Sequence, residues 1–467
     1  MKIAVHLASP AMFETSVKRG VVDGELSFLA TGLRHDGFRV EVYDGYQTKS
    51  DPRSSLSAAV AERDTEHVVL VHLWKVELLG EPLLNVLQAF REVDRESPGV
   101  VIGAFGYLAA SLGKRLNETG HMVDFVVTGE RIEWIAGAVG PTEIVRSVAE
   151  AARQRLAAVT VETGGLELSN DIDHDSVVSI SGSRGCRSRC TFCAYNADLG
   201  AGWRPRPVAS IAEEIAAVLS QGRTRKIAFY DNDFGGGRVE MTARTRALHV
   251  ELDRRGILGT ADIALNVRSD CLTGETIALL GEIGVKTMLV GLESFNEQTR
   301  LRLFGKRVDI GHLARMVESA DRTGIELLLS YILWHPLQTL DGVQREVNEI
   351  VAWGRYRIPQ FLSRSELLVV PGTPIEGILK RKGLLERHQP FKLRARFIDA
   401  DAEEWLGRAK LWLEEEMKAI PSPGPSVTRK AMFAEIGRLK QLELDMYLER
   451  VPFSMPALDE NSRPTLS

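Results

Sequence analysis

Three of the four cysteines, Cys186, Cys190 and Cys193, stand as C-x-x-x-C-x-x-C within Ser183-Arg-Gly-Cys-Arg-Ser-Arg-Cys-Thr-Phe-Cys-Ala-Tyr195. Thiolates this close on one loop can grip three corners of a cubane iron–sulfur cluster, which leaves the fourth iron open to bind a small molecule. Zinc is the competing metal, but structural zinc commonly uses two separated ligand pairs, and the remaining cysteine, Cys271, is alone. A disulfide framework does not suit an odd cluster in a long chain with few cysteines. Cys271, which follows Asn266-Val-Arg-Ser-Asp270, reads as a small buried hydrophobe.

With Phe192 directly before Cys193, the loop resembles the cluster loop of the radical S-adenosylmethionine (SAM) superfamily. The resemblance implies a [4Fe-4S] cluster on the three cysteines. It also implies that SAM chelates the open iron and is split reductively to methionine and a 5'-deoxyadenosyl radical. It further suggests partners for each part of SAM. Asp231, Asn232 or Asp233, after the second barrel strand, would meet the amino group. Glu293 and Ser294, in Val290-Gly-Leu-Glu-Ser-Phe295, resemble the G-x-E-S segment that faces SAM. Phe192 and the backbone near Tyr195 would lie at the adenine, and Arg268 offers a fork for the carboxylate. For any single one of these the plain alternative is a helix cap or an ordinary ion pair.

At the end of the fifth strand, where many relatives carry Gly-x-Pro-Gly-Glu-Thr, the chain reads Trp334-His335-Pro-Leu-Gln-Thr339. His335 can exchange a proton near neutral pH, and with Tyr331 and Glu366 it makes the set of catalytic candidates. So polar a mouth suits a hydroxylated or amine-bearing small molecule better than a lipid. Arg184, Arg187 and Arg189 form a basic collar around the cysteines. It is either a dock for an acidic electron donor, such as flavodoxin, ferredoxin or a dedicated reductase, or a solvated arginine face.

These groups need a scaffold. In the first 140 residues, strand-like runs (Ile3–Leu7, Arg39–Tyr43, His67–His72, Val100–Ala104, Asp124–Val127) alternate with amphipathic segments, Glu25–His35 and Pro82–Val93. That alternation argues for an α/β, Rossmann-like doubly wound parallel sheet. Set ahead of a radical SAM loop, it resembles the cobalamin (B12)-binding domain of one branch of the superfamily, with Gly129-Glu130 similar to that branch's Gly-Glu signature. The branch's glycine pair is here Gly103-Ala104, whose extra methyl would crowd a flat macrocycle. No D-x-H-x-x-G supplies a lower axial histidine. The domain therefore reads either as binding cobalamin or as purely structural.

A helix over Pro141–Ala158, then Glu162–Gly165 and the acidic Asp171–Asp175, reads as a linker. Beyond it, strand candidates at Val177–Gly182, Lys226–Tyr230, Ala261–Val267, Lys286–Gly291, Ile325–Ile332 and Arg364–Val370 alternate with helices, which matches a partial (β/α)6 barrel. In such a barrel the loops after the strands share one face, so the residues above converge. From Ile375 onward the pattern turns helical, broken at Pro421-Ser-Pro-Gly-Pro425 and resumed over Val427–Arg450. The expected division is 1–140, 141–175, 176–376 and 377–467.

A chain of 467 residues with 44% apolar content can fill two or three cores. The net charge of -5 points to neither nucleic acid nor an anionic membrane as partner. No run approaches the roughly 18 apolar residues of a membrane span, and the N-terminus opens like a strand, so a cytoplasmic location is expected. The favoured reaction on this reading is hydrogen abstraction from a sugar or aminoglycoside, leading to dehydration, deoxygenation or epimerisation, as in the radical diol dehydratases that the layout resembles. The alternative is a cobalamin-dependent radical SAM C-methyltransferase of secondary metabolism, such as antibiotic biosynthesis.

Overall fold

The computed structural model describes residues 2–8, 21–22, 24–43, 57, 65–73, 81–96, 99–106, 108–109, 112, 122–128, 132–135, 142–157, 174, 176–194, 202–353, 360–387, 393–420 and 429–449. The first part runs β1 (Lys2–Ala8), β2 (Val21–Val22), α1 (Gly24–His35), β3 (Arg39–Tyr43), β4 (Thr65–His72), α2 (Glu81–Glu96), β5 (Val100–Phe105), β6 (Phe125–Val127), β7 (Ile132–Trp134) and α3 (Glu143–Ala157). Six of these strands form one sheet in the order β3-β1-β4-β5-β6-β7, parallel except for the antiparallel edge strand β7. Helices cover both faces, so its central strands are apolar on both sides. Val5, Leu7, Leu70 and Phe125 pack with Leu26 and Leu29, while Val69, Val71 and Ala104 pack with Leu83, Val86 and Leu87. Ala104 therefore lies inside the core, against α2, and Gly103 is small because Phe125 and Leu70 fill the space beside it. Gly129-Glu130, Asp44-Gly45, Trp74-Lys75, Tyr107 and most of the linker lie outside the described residues.

The second part runs β8 (Val177–Ile180), β9 (Ser183–Arg184), β10 (Arg204–Pro205), α4 (Val208–Ser220), β11 (Lys226–Phe229), α5 (Arg238–Arg254), β12 (Asp262–Val267), α6 (Gly274–Ile283), β13 (Val285–Glu293), α7 (Ile310–Thr323), β14 (Glu326–Tyr331), α8 (Leu340–Ala352), α9 (Pro374–Arg381), β15 (Leu385–Arg387), β16 (Leu393–Ala395), α10 (Ala400–Lys418) and α11 (Arg429–Glu449). Its sheet is parallel, in the order β14-β13-β12-β11-β8-β2.

Five of the six expected barrel strands form. The sixth, Arg364–Val370, does not: a 3-10 turn at Leu362–Arg364 and isolated bridges at Trp334–Glu366 and Val369–Leu393 stand in its place. The cause is competition for backbone donors. Glu443 of α11, fully buried, accepts the amides of Leu362 and Ser363 at 2.7 and 2.8 Å and the Ser363 hydroxyl at 2.5 Å, which fixes a turn. The sheet's sixth strand is instead β2, paired with β8. Nearby, Trp334 stacks on Trp405 at 5.8 Å and donates its indole N–H to the Tyr447 hydroxyl at 3.2 Å. Trp334 is thus part of the core against the C-terminal helices, not a substrate contact. Among the described residues no helix is long and apolar enough to cross a membrane.

Candidate functional site

The cysteine loop leaves the end of β8 and is tied down at its base. Asp231, buried at the end of β11, accepts the Gly182 amide at 2.9 Å and the Ser183 hydroxyl at 2.5 Å. Burial pushes its carboxyl above the usual range, against the pull of those bonds. Next, β9 pairs with β10, and Gly185, at φ 86, has no room for a side chain beside the Gly202 carbonyl. Cys186 then accepts the Ser188 amide at 3.3 Å. Cys190 is buried, while Cys186 and Cys193 are partly exposed. Burial raises the Cys190 thiol, and Lys306 draws it back down.

A second segment clamps the loop between Cys190 and Cys193. A π-helical turn at Thr299–Leu303 leads into Phe304-Gly-Lys306, the kind of turn found often at functional sites. The Phe304 carbonyl accepts the Thr191 amide at 3.0 Å, and the Leu303 carbonyl accepts the Thr191 hydroxyl. The Phe192 ring meets Phe304 edge to face at 5.5 Å. Lys306 donates to Glu293 at 2.6 Å, and the other Glu293 oxygen accepts the Ser330 hydroxyl at 3.1 Å. Glu293 is the only non-glycine residue with positive φ (72°) among those described, at the point where the β13–β14 register shifts. Strain of that kind is typical of functional positions. Nothing in the sequence flagged Lys306, thirteen residues from Glu293.

Ser294 and Tyr331 are held elsewhere. Both hydroxyls donate to Glu346 of α8, which also accepts the Phe295 amide at 2.8 Å. Burial, and then Glu346, push the Tyr331 hydroxyl well above its ordinary range. This network locks the Glu-Ser-Phe segment, and both side chains are absorbed by it. Glu366 is likewise engaged, with Lys410 of α10.

Other candidates remain available. Asn232 is half-buried. Asp233 uses one oxygen to accept the Gly235 and Gly236 amides at 3.2 Å, and its other oxygen is buried with no hydrogen bond, 3.9 Å from Arg268. The Arg268 fork is already bidentate to Asp270. His335 is buried with neither ring nitrogen hydrogen-bonded, and its ring meets the Phe304 edge at 5.8 Å. Burial lowers it to about 4, so it is neutral near pH 7. Tyr195 lies outside the described residues. Of the arginine collar, Arg184 donates to the Leu156 carbonyl and Arg187 pairs with Glu240, while Arg189 faces solvent.

Among the described residues no group of three or more His, Cys, Asp or Glu side chains converges on a single metal ion. A cubane asks for less, since each thiolate binds a different iron. Three thiols on one tethered loop, clamped by the segment that carries Lys306, fit that donor set. Cys271 is fully buried and its thiol is raised by burial, as a core residue's would be.

Residues 180–349 match the radical SAM superfamily. The chain is 25% identical over 166 residues to the uncharacterized methyltransferase PH0819 of Pyrococcus horikoshii, a match that covers 36% of this chain and 35% of that protein. Among solved structures it resembles OxsB, a cobalamin-dependent S-adenosylmethionine radical enzyme, with aqua-cobalamin and S-adenosylmethionine bound (TM-score 0.68, 14% identity, 95% of this chain and 72% of that one). It also resembles the radical S-adenosylmethionine methyltransferase TsrM of Kitasatospora setae with cobalamin and a [4Fe-4S] cluster bound (TM-score 0.65, 15% identity, 96% and 100%). A radical SAM domain works with a [4Fe-4S] cluster and SAM; residues 180–349 match that domain, and the fold of the chain is similar to those of cobalamin-dependent radical SAM enzymes.

Proposed function

We propose that the protein is a cobalamin-dependent radical SAM methyltransferase acting on a polar small molecule. The observation that carries this reading is the union, in one chain, of the three-cysteine loop with a six-stranded N-terminal sheet, an arrangement similar over nearly the whole chain to structures holding cobalamin. The methyltransferase relative supports it too. Together they favour methyl transfer over the radical dehydration that the polar barrel mouth alone suggested.

The described strand ends bear on the fit of a corrin. In a doubly wound sheet the ligand edge lies beyond the carboxyl ends of the strands. Ala8, Leu73, Gly106 and Thr128 stand there, and Gly106 turns in a left-handed conformation (φ 101) against His72 and the Leu73 carbonyl. A flat macrocycle fits a ledge of small and turn-forming residues. The methyl of Ala104 is no obstacle, because it is buried toward α2.

When bound, the cluster and SAM supply one-electron cleavage of a sulfonium, and a methylated corrin supplies the methyl group. The chain's own work is placement. Cys186, Cys190 and Cys193 would hold the cluster; Glu293, Asn232 and the Asp233 oxygen without a hydrogen bond would accept from the SAM amino group, and the Arg268 Nη1 that Asp270 leaves unused would donate to its carboxylate. Phe192 and Phe304 form an apolar wall beside them that keeps water from a reactive radical. His335, neutral and unpaired, is the titratable side chain that remains free to accept or donate at the substrate. Arg189 is an exposed cation on the loop that would meet an external donor such as flavodoxin or ferredoxin.

Anaerobic reconstitution with hydroxocobalamin tests the reading. Retention of about one corrin per chain, with a methylated product and S-adenosylhomocysteine after turnover, is expected. Formation of 5'-deoxyadenosine with a dehydrated product and no corrin retained would return the assignment to a radical dehydratase.

A further inference from the structure

We propose that Lys306 is a positioning residue of the metal centre, a partly buried cation beside the cysteine loop that offsets thiolate charge and sets the reduction potential of the cluster. The inference rests on the reading of Cys186, Cys190 and Cys193 as cluster ligands.

Position comes first. The backbone that carries Lys306 is fastened to the cluster loop at the residue after Cys190, where Thr191 bonds to the carbonyls of Leu303 and Phe304. Gly305, at φ 63, lets the chain pass close over the loop: a Cβ there would lie 3.3 Å from the Arg189 carbonyl and 3.2 Å from Thr191. The Lys306 amide donates to the Arg300 carbonyl at 2.8 Å, and Arg300, itself buried, donates to the carbonyls of Ser294 and Phe295 at 2.7 Å. The segment is therefore braced at both ends.

Charge comes second. The Lys306 ammonium bonds to Glu293 at 2.6 Å and lies directly over Gly291, where any side chain would collide with it. The Lys306 side chain is 16% exposed, so its charge is only partly screened by water. Thus a cation bonded to Glu293 is carried on the segment that is fastened to the cysteine loop beside Cys190. Reduction adds an electron to the cluster, so a fixed nearby cation stabilises the reduced form, and net charge is among the factors that set such potentials.

The test uses the full chain, reconstituted anaerobically with iron and sulfide, and reads iron and sulfide content and the midpoint potential from EPR-monitored dithionite titration. Lys306→Gln should load a normal cluster that is about tenfold harder to reduce, a shift of about 59 mV to lower potential for a one-electron couple. Lys306→Arg should restore most of it. Glu293→Gln removes a negative charge and should move the potential the other way. Opposite signs from the two glutamine variants distinguish charge from general disturbance of the loop, which would move both alike. Equal potentials in wild type, Lys306→Gln and Glu293→Gln, or shifts of the same sign, would overturn the proposal. Should Lys306→Gln fail to load, the Lys306→Arg and Glu293→Gln potentials decide. Absence of any iron and sulfide in wild type would instead sink the cluster reading itself.

Discussion

Tyr331 and Glu346, at the end of β14 and in the middle of α8, are joined by a buried hydrogen bond from the phenol to the carboxylate, which also takes the Ser294 hydroxyl and the Phe295 amide. The bond makes Tyr331 a support for the Glu293–Phe295 segment. Tyr331→Phe is expected to keep SAM cleavage and lose about 1–2 kcal/mol of stability, whereas Glu346→Ala, which removes an acceptor from four donors, should lose about 3 kcal/mol or more. Urea midpoints and 5'-deoxyadenosine yield measure both. Because the folded phenol is held well above its ordinary range, its contribution is present below the unfolded value near 10 and fades as pH rises further, so Tyr331→Phe should also flatten the alkaline limb of the stability curve.

His335 leads to a prediction of the opposite kind. A buried imidazole with neither nitrogen hydrogen-bonded costs stability, so His335→Phe should be neutral or gain about 1 kcal/mol. If His335 meets substrate, the same variant will keep SAM cleavage but lose product, a split that a merely structural residue would not give. Loss of cleavage and stability together would remove it from the substrate side.

Acid stability follows from the same residue and from His6, buried in β1, which burial also lowers to about 4. Both folded values lie below the unfolded 6.5. The unfolded chain therefore binds more protons between pH 6.5 and 4, and stability falls as pH drops through that window. Each histidine can account for up to about 3 kcal/mol of the loss. Denaturant titrations at pH 7 and pH 5 should show a smaller fall in His335→Phe than in wild type; an equal fall would mean that this imidazole gains no proton on unfolding.

Much of this architecture was legible in the chain. The starts and stops of α6, α7 and α8 carry local signals: Thr273, Asp309 and Thr339 cap the starts, and Gly284 and Gly324 end α6 and α7 with left-handed turns. The cysteine spacing and the Gly291-Leu-Glu293 step were equally plain. What the sequence hid was long-range. Glu443 takes backbone donors about eighty residues away, and so the sixth strand gives way to a turn. Residues Val21–Val22 add an edge strand to the barrel sheet. Asp231 resembles a cofactor contact by position, yet turns back to hold the loop. Lys306 lies on an irregular stretch without periodicity, and its meaning appears only where the chain folds over Thr191.

The Glu443 anchor is itself open to test. Its carboxyl accepts three donors from the 362–364 turn and is raised by burial, which those bonds partly offset. Glu443→Ala should cost about 3 kcal/mol and loosen α11, visible as faster hydrogen exchange over Leu362–Ser365 and around Tyr447. Exchange unchanged in that turn would mean that other contacts hold it.

The loop's own base yields the most direct comparison. Asp231 and Cys271 are both buried near the ends of β11 and β12, yet the structure gives them opposite duties. Asp231→Ala leaves the Gly182 amide without its acceptor and the Ser183 hydroxyl with the Asp233 carbonyl alone at the root of the cysteine loop, so reconstituted iron per chain should fall several-fold while the N-terminal sheet keeps its far-ultraviolet signal. Cys271→Ala removes only a small core side chain; it should cost about 1 kcal/mol and leave iron content at the wild-type level. Cys190→Ala gives the lower bound, with the brown chromophore lost. Were Cys271→Ala to lose iron as Cys190→Ala does, the ligand set would have to include the fourth cysteine, and the separation between a cluster loop and a core thiol would fail.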